Sequence, residues 1–592
     1  MRSVRERAAT AGSEANPAEV GQVSFNLIDE PWILVVRSDG SLCTCSIREV
    51  LRSAHEIAEI TGELPTQVPP IIRLLLAVLV RALDGPADLD EWEQVWEQPR
   101  LPADRIDAYL DRWRDRFELF HPIHPFMQVP LDPEDRKKVT TAAKLLPHLP
   151  SGNNVPLFYP FLDRQPPNLT PAEGARWLLH CHAWDTAAIK TGRTHDPAAK
   201  AGKTTGNPVG TLGNTGVLIP LGHTLRETLL LNLVARQATQ DDDLPVWERE
   251  PLDVTWSVRA PTGVADLFTW ASRRVTLIPV VQPSKEASVC EVVVSAGDRF
   301  DRADLFGIEP HCSWRLQRGK AGKPPTYLPR RHAIERRTWQ GMTSLLASRP
   351  PDLLAGDLPE DVAPLALQWI ATLRDSGVEG LPQLIEVFAC GAEYGPQQAV
   401  VEEFVDDRLP LPVRALSAVD TSVAELLKAC VGDVEWVEKL LAVIASGVYK
   451  SAGGRDGDQE KAARAAVVER FLHRVDREFR SLLASVAGAS DLSAERAQWQ
   501  RAVHRLAIQV AEEVLAEAPP AAYVGREING AHLNVWRVEQ QFRIGLARAL
   551  PLAKPASELA GPTEVIGVGS ATAGATSLSP SPSSRPSTQE HA

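Results

Sequence analysis

The 592-residue chain lacks a run of eighteen uncharged apolar residues, so no membrane-spanning helix and no membrane association are expected. Its first twenty residues, MRSVRERAATAGSEANPAEV, lack the apolar core of a secretory signal. Cysteine is sparse: seven residues, an odd number, with no pair of CxxC motifs. They read as reduced thiols of a cytoplasmic protein. Cys43-x-Cys45, the nearest approach to a paired-ligand spacing, alternates along an expected strand and reads as packing. A G-x-S-x-G element is absent, which removes the serine-hydrolase reading. An excess of positive charge is absent too, and a net charge of −13 argues against uniform attraction to nucleic acid.

What is present is ordinary globular composition, 44% hydrophobic and 23% charged, in a chain long enough for two or three domains. Residues 1–22 read as a disordered extension. WILVV and LCTCSI flank Asp39-Gly40 and read as a hairpin. IREVLRSAHEIAEI and IIRLLLAVLVRAL carry apolar residues at helical spacing. Residues 130–222, rich in Pro, Gly, Asn and Thr, predict long loops. RRVTLIPVV and ASVCEVVVSA are β-branched runs, read as strands. From about residue 412 apolar residues recur three and four apart over roughly 418–450, 459–487, 493–517 and 529–552, with Gly/Pro breaks between them. The fold class is therefore α+β: a large mixed domain with long loops over 23–405, then a four-helix bundle over 412–552. Residues 553–592, ending SLSPSPSSRPSTQEHA, read as a disordered tail.

Three local features invite a functional reading. AGKTTGNPVG (201–210) contains Gly-Lys-Thr, but Pro197 stands where a P-loop needs its first glycine, and Pro208 follows too soon for a phosphate-holding helix. His180, His182, Asp185, His195 and Asp196 lie close together, and His195-Asp196 resembles the paired ligands of metal-dependent phosphohydrolases. His180 and His182 fall in the expected helix WLLHCHAW, where residues two apart diverge. A metal-dependent phosphohydrolase or nuclease on this His-Asp cluster is the alternative reading. Finally, eight Lys/Arg lie between Arg315 and Arg337 against one acid, Glu335. Of these, Lys320, Lys323, Arg330 and Arg331 are taken as phosphate contacts, with a solvated loop as the other reading.

Four segments in order carry a family resemblance: FNLIDEPWILV (25–35), HPFMQ (124–128), AKLLPHLPSGNNVPLFY (143–159) and GTLGNTGVLIPLGHTLRETLLLNLV (210–234). Together they resemble CasA, the large subunit of the type I-E CRISPR surveillance complex Cascade, over about residues 24–552. The resemblance implies a subunit without catalytic chemistry and without cofactor or metal. It implies as partners the backbone and small Cascade subunits, the guide RNA, double-stranded target DNA and a recruited helicase-nuclease. Guide pairing reads the target, and the large subunit reads the short flanking motif, the PAM, through the minor groove and helps to open the duplex.

Carried onto this sequence, the resemblance puts the family's glycine-rich loop on Gly202, Lys203, Gly206 and Asn207. Glycine lets backbone approach a groove only about 6 Å wide. Thr204, Thr205 and Asn207 interrupt the run, a departure from the family's consecutive glycines. The basic finger falls on Arg299, with Arg302 as competitor and a surface ion pair to Asp298 or Asp301 as the plain reading. The wedge falls on Gln397 and Gln398, with the register between them open; Gly395-Pro396 supplies a stiff turn. SGNNVPLFYP aligns with a loop touching the guide and a neighbouring subunit, through Asn154, Leu157, Phe158 and Tyr159. Those aromatics suit stacking on bases or burial at the subunit interface. Arg537, Arg543 and Arg548 of the bundle would add sequence-independent phosphate attraction.

Overall fold

The computed structural model describes residues 23–149, 167–235, 242–281, 287–319, 324–346, 358–528 and 530–553. Strands β1 (Ile33–Arg37) and β2 (Leu42–Cys45) form the expected hairpin, with Val35 opposite Cys43. Asp39 closes its turn by accepting the Ser41 N–H at 2.8 Å, and Gly40 takes φ +84°. The following segment departs from its helical spacing. Helix α1 (Ile47–Arg52) is short, and Ile57–Ile60 becomes strand β3 on the free side of β1. Ile57 and Ile60 reach the core either way, but only the strand satisfies the open backbone edge of β1.

Helix α2 (Val68–Ala82) runs through the core, and 78% of the 18-residue window Pro65–Ala82 is buried. Its length and apolarity match a membrane span, yet it is a core helix, and its Arg73 forms a buried ion pair with Glu309 at 2.5 Å.

Helix α3 (Pro171–Trp184) starts on a capping box between Thr170 and Glu173. After it come two tiny paired strands, β4 (Lys190–Thr191) and β5 (Lys203–Thr204), and then β6 (Val217–Leu221). The two β-branched runs pair as β7 (Arg273–Val281) and β8 (Ala287–Ala296), as their composition predicts. A long hairpin of β9 (Leu384–Tyr394) and β10 (Val401–Pro412) lies beside β6.

Three of the segments that carry the family resemblance, 25–35, 124–128 and 210–234, are joints between these elements. Trp32 donates to the Leu27 carbonyl at 2.9 Å. Gln128 donates to the Leu119 carbonyl and accepts the Leu277 N–H at 2.9 and 2.7 Å, which pins HPFMQ onto β7. At Gly213 a Cβ would stand 2.4 Å from the Tyr394 hydroxyl, so that chain crossing requires glycine.

The bundle forms from α4 (Ser422–Ser451), α5 (Asp458–Val486), α6 (Leu492–Ala516) and α7 (Val535–Ala549). In the α5 stripe Val468 is half-buried, and Val467, Phe471, Leu472, Val475, Phe479 and Leu482 are buried as its periodicity predicts. Each such side chain contributes about 1.5–3 kcal/mol. The fourth helix is shorter than its apolar pattern suggests. Residues 520–533 are spent on a short helix, Pro520–Val524, and a two-stranded turn, Arg526–Ile528 with Ala531–Leu533. Bundle and hairpin share one apolar cluster, in which Leu218, Val387 and Leu409 pack with α4 and α5 residues. Arg480 of α5 also pairs with Asp407 of β10 at 2.7 Å. The hairpin is thus anchored in the bundle at its base, leaving its tip to project toward the loops after α3.

Candidate nucleic-acid interface

Helix α3 ends at Trp184, and the residues just beyond it carry the site. Asp185 is largely but not fully buried and holds two cations, Lys190 at 2.6 Å and Arg273 at 2.5 Å. Burial alone would raise its carboxyl, but Lys190 and Arg273 outweigh burial and hold it well below the usual carboxylate range. Burial in turn pushes the Lys190 ammonium down to about 8, against the pull of Asp185. Arg273 donates further to the carbonyls of Thr186 and Pro208, at 3.0 and 2.8 Å. One guanidinium therefore ties the exit of α3 to the exit of the 201–210 stretch.

That stretch is half strand, half loop. Lys203 and Thr204 pair with β4, and Gly192 donates to the Gly202 carbonyl at 2.8 Å. Lys203 is exposed. Gly202 and Gly206 take φ +71° and +65°, with open space where a Cβ would stand. Left-handed backbone selects glycine at Gly206, and its carbonyl faces Arg299. Asn207 corrects the sequence reading. Its side chain is buried, donating to the Ala188 and Thr204 carbonyls at 3.2 and 2.9 Å, so it braces the loop from inside.

Arg299 follows β8 and reaches this loop. It donates to the Gly206 carbonyl at 3.1 Å and to Asn207 Oδ1 at 2.9 Å, with its guanidinium 3.9 Å above the Trp256 ring. The surface ion pair with Asp298 or Asp301 does not form; Asp298 pairs with Arg274 at 2.9 Å. Burial and the nearby Arg273 lower the Arg299 pKa, with Asp196 opposing them. Backbone bonds between residues 257–259 and Arg299 complete the brace.

The hairpin tip arrives from the other side. Pro396–Gln398 form one 3-10 turn, and Gln397 and Gln398 both sit at positive φ, 57° and 54°. Gln397 is exposed, whereas Gln398 donates to Asn214 Oδ1 at 2.9 Å and its carbonyl accepts the Ala187 N–H at 2.8 Å. Ala187 and Ala188 are adjacent, so the hairpin tip and the 201–210 loop hang from neighbouring residues. Tyr394 donates to the Trp184 carbonyl at 2.7 Å and fixes the hairpin on the end of α3. A cleft of about 280 Å3 opens between Asn214, Arg299 and Arg302.

Other candidates disperse. Arg330 pairs with Asp361 and is not a free cation, whereas Arg331 is exposed and has no ion pair among the described residues. Partial shielding of its guanidinium and the neighbours Arg302 and Arg315 lower the Arg331 pKa. Lys320, Lys323, Asn154, Leu157, Phe158 and Tyr159 lie outside the described residues. In the bundle Arg543 pairs with Glu539 at 2.8 Å and Arg537 donates to the His532 carbonyl at 3.1 Å.

The His-Asp residues do not converge. His180 bonds Thr66 Oγ1 at 2.9 Å, and His182 lies 3.0 Å from the Met127 carbonyl. Burial lowers them to about 3 and about 4. His195 is exposed beside Asp132 at 3.7 Å, while Asp196 accepts the Ala198 N–H. Among the described residues the metal-ligating side chains that do gather are Asp115, His121 and His124. There His121 Nδ1 accepts the N–H groups of Ile123 and His124, so its proton sits on Nε2 and no ring lone pair faces the cluster.

Sequence reasoning missed Trp256, Asn214 and Arg273. Trp256 lies in an irregular segment with no periodicity, and Asn214 sits inside the family motif without a side-chain signal. Arg273 opens a β-branched run and reads there as a strand-edge cation.

The family model for CRISPR-associated protein Cse1 matches residues 26–510. A curated relative, CasA/Cse1 of Thermus thermophilus, is 39% identical over 262 residues, which are 43% of this chain and 49% of that protein. The chain thus aligns with about half the length of that relative. Two crystal structures align almost throughout. Cse1 of Thermobifida fusca is 34% identical with a TM-score of 0.80, and Cse1 of Acidimicrobium ferrooxidans is 32% identical with a TM-score of 0.77; each comparison covers 90% of this chain and 99% of the other. With its fold and most of its length matched, the chain belongs to the CRISPR-associated Cse1 (CasA) family.

Proposed function

We propose that this chain is the large subunit of an RNA-guided Cascade complex that reads the PAM in duplex DNA through the minor groove and starts strand separation. The observation that carries the reading is the convergence of three separate segments. Arg299 bonds Gly206 and Asn207, Asn207 bonds Ala188, and Ala187 bonds Gln398. Glycine backbone and an arginine plane suit a narrow groove, and a glutamine on a stiff turn suits insertion between base steps. Unstacking costs a few kcal/mol, which exposed base edges partly return by bonding the amide. Arg331 adds phosphate attraction on an otherwise acidic chain.

The subunit performs no bond chemistry in this reading. Guide RNA, backbone subunits and small subunits supply the rest of the complex, and a separate helicase-nuclease is recruited to cut. The test is reconstitution with and without this chain, on matched duplexes with an intact or a scrambled flanking motif. Binding and opening should depend on both the chain and the motif. Equal opening of the two duplexes would reject the reading, as would opening without the chain.

A further inference from the structure

A second cavity, also of about 280 Å3, lies directly behind the hairpin tip. Ala399 and Val400, the residues after the wedge glutamines, form one wall; Trp184 and Thr186 form another, and Lys144 and Leu145 a third. Lys144 makes no hydrogen bond or ion pair among the described residues, nor does the Thr186 hydroxyl. The site thus combines apolar walls with the Thr186 hydroxyl and the uncommitted Lys144 ammonium, alongside His148, His180 and the ion-paired Asp185. Its volume is at the lower limit of small-molecule pockets, about 300 Å3, which suits one base with its sugar and not a base pair.

The geometry points to a receiving pocket for an unpaired nucleotide. We infer that the base of the displaced DNA strand nearest the flanking motif enters this cavity when the wedge opens the duplex, its phosphate meeting Lys144. This rests on the wedge reading above. Two considerations select the displaced strand. The target-strand base regains a partner in the guide RNA, whereas its former partner has none. The wall of the cavity is also continuous with the residues that would do the separating, so an expelled base meets the pocket before it meets open solvent. Capturing it would oppose re-pairing, as the pockets of base-flipping enzymes do.

The experiment uses the complete guide-loaded complex and a matched duplex with 2-aminopurine at the first displaced-strand position beyond the motif. Opening should raise its emission as the base unstacks. In the wild-type complex acrylamide should then quench that emission severalfold less than in free single strand. Leu149 also lines the cavity. Lys144→Ala and the space-filling Leu149→Trp should each restore quenching toward the free-strand level, with affinity for the motif duplex changed by less than about twofold. Raised emission that acrylamide quenches freely in the wild type overturns the pocket and leaves the wedge standing. Protection that survives both substitutions overturns the pocket as well. No rise in emission at all removes the wedge reading, and the pocket falls with it.

Discussion

Arg299 and Asn207 are joined by a 2.9 Å hydrogen bond across 92 positions of sequence. Asn207 spends its amide group on the Ala188 and Thr204 carbonyls and its oxygen on Arg299, so one buried side chain sets the relation between Arg299 and the 201–210 loop. Replacing it leaves three partners unmet, and each buried polar group left unsatisfied costs about 1–3 kcal/mol. Asn207→Ala should therefore speed hydrogen exchange over residues 187–207 while leaving bundle residues 422–486 protected. Unchanged exchange at Ala188 and Thr204 would remove Asn207 from this role.

Arg299 has five N–H groups. Two are committed to Gly206 and Asn207, and Nε has no partner, so two terminal N–H groups remain for a groove. Lysine lacks both the planar fork and the stacking on Trp256. Arg299→Lys should thus weaken motif-dependent duplex binding by roughly tenfold, about 1.4 kcal/mol, and Arg299→Ala by more. The check is a titration on duplexes with intact and scrambled motifs. An alanine variant that keeps its discrimination would remove Arg299 from the interface.

The bundle was legible because long amphipathic helices write a repeated spacing, as in the α5 stripe from Val467 to Leu482. The strands β7 and β8 were legible for a similar reason, a β-branched composition with little competing signal. Ile57–Ile60 was not, since a spacing of three satisfies a helix or a buried strand end, and the open edge of β1 decides between them. At the site, glycines, Arg299 and the glutamines were found through the family pattern and not through chemistry of their own. The direction of Asn207 and the ion pair of Arg330 depend on partners 92 and 31 positions away, which local sequence does not encode. Trp256 stayed hidden because a lone tryptophan in an irregular segment resembles any packing residue.

The two α3 histidines give the fold a pH dependence of known sign. Burial keeps His180 and His182 neutral, with pKa values lowered from 6.5 to about 3 and about 4. Below pH 6.5 the unfolded chain binds protons that the folded chain refuses, so stability falls as pH falls through that window. Between pH 6.5 and pH 5 the loss is on the order of 2 kcal/mol per histidine. His182→Gln should lower stability at pH 7, because a buried contact is disturbed, yet show a smaller further drop at pH 5. Denaturant midpoints at the two pH values measure this, and equal drops in variant and parent would show that His182 does not titrate on unfolding.

Under the proposed reading the two glutamines at the hairpin tip have different tasks, because only one of them is tied down. Gln398 is tied down: its amide donates to Asn214 and its carbonyl holds Ala187. Gln397 is exposed, with no side-chain bond among the described residues, and stands on left-handed backbone that the Gly395-Pro396 turn imposes. In that reading the free amide of Gln397 enters a base step, and Gln398 holds the tip on Ala187 and Asn214. Gln397→Ala should consequently slow opening of a closed duplex while leaving binding to the motif, and to a duplex already mismatched beyond it, near the parent level. Gln398→Ala should loosen the tip itself, weakening motif binding and opening together on both substrates. Gln397→Gly offers a control, since it relieves the positive φ and removes the amide; slow opening despite an unstrained turn would assign the effect to the side chain. Stopped-flow opening rates beside equilibrium binding on the two duplexes separate these cases, and a Gln397→Ala variant that opens the closed duplex at the parent rate would take Gln397 out of the wedge.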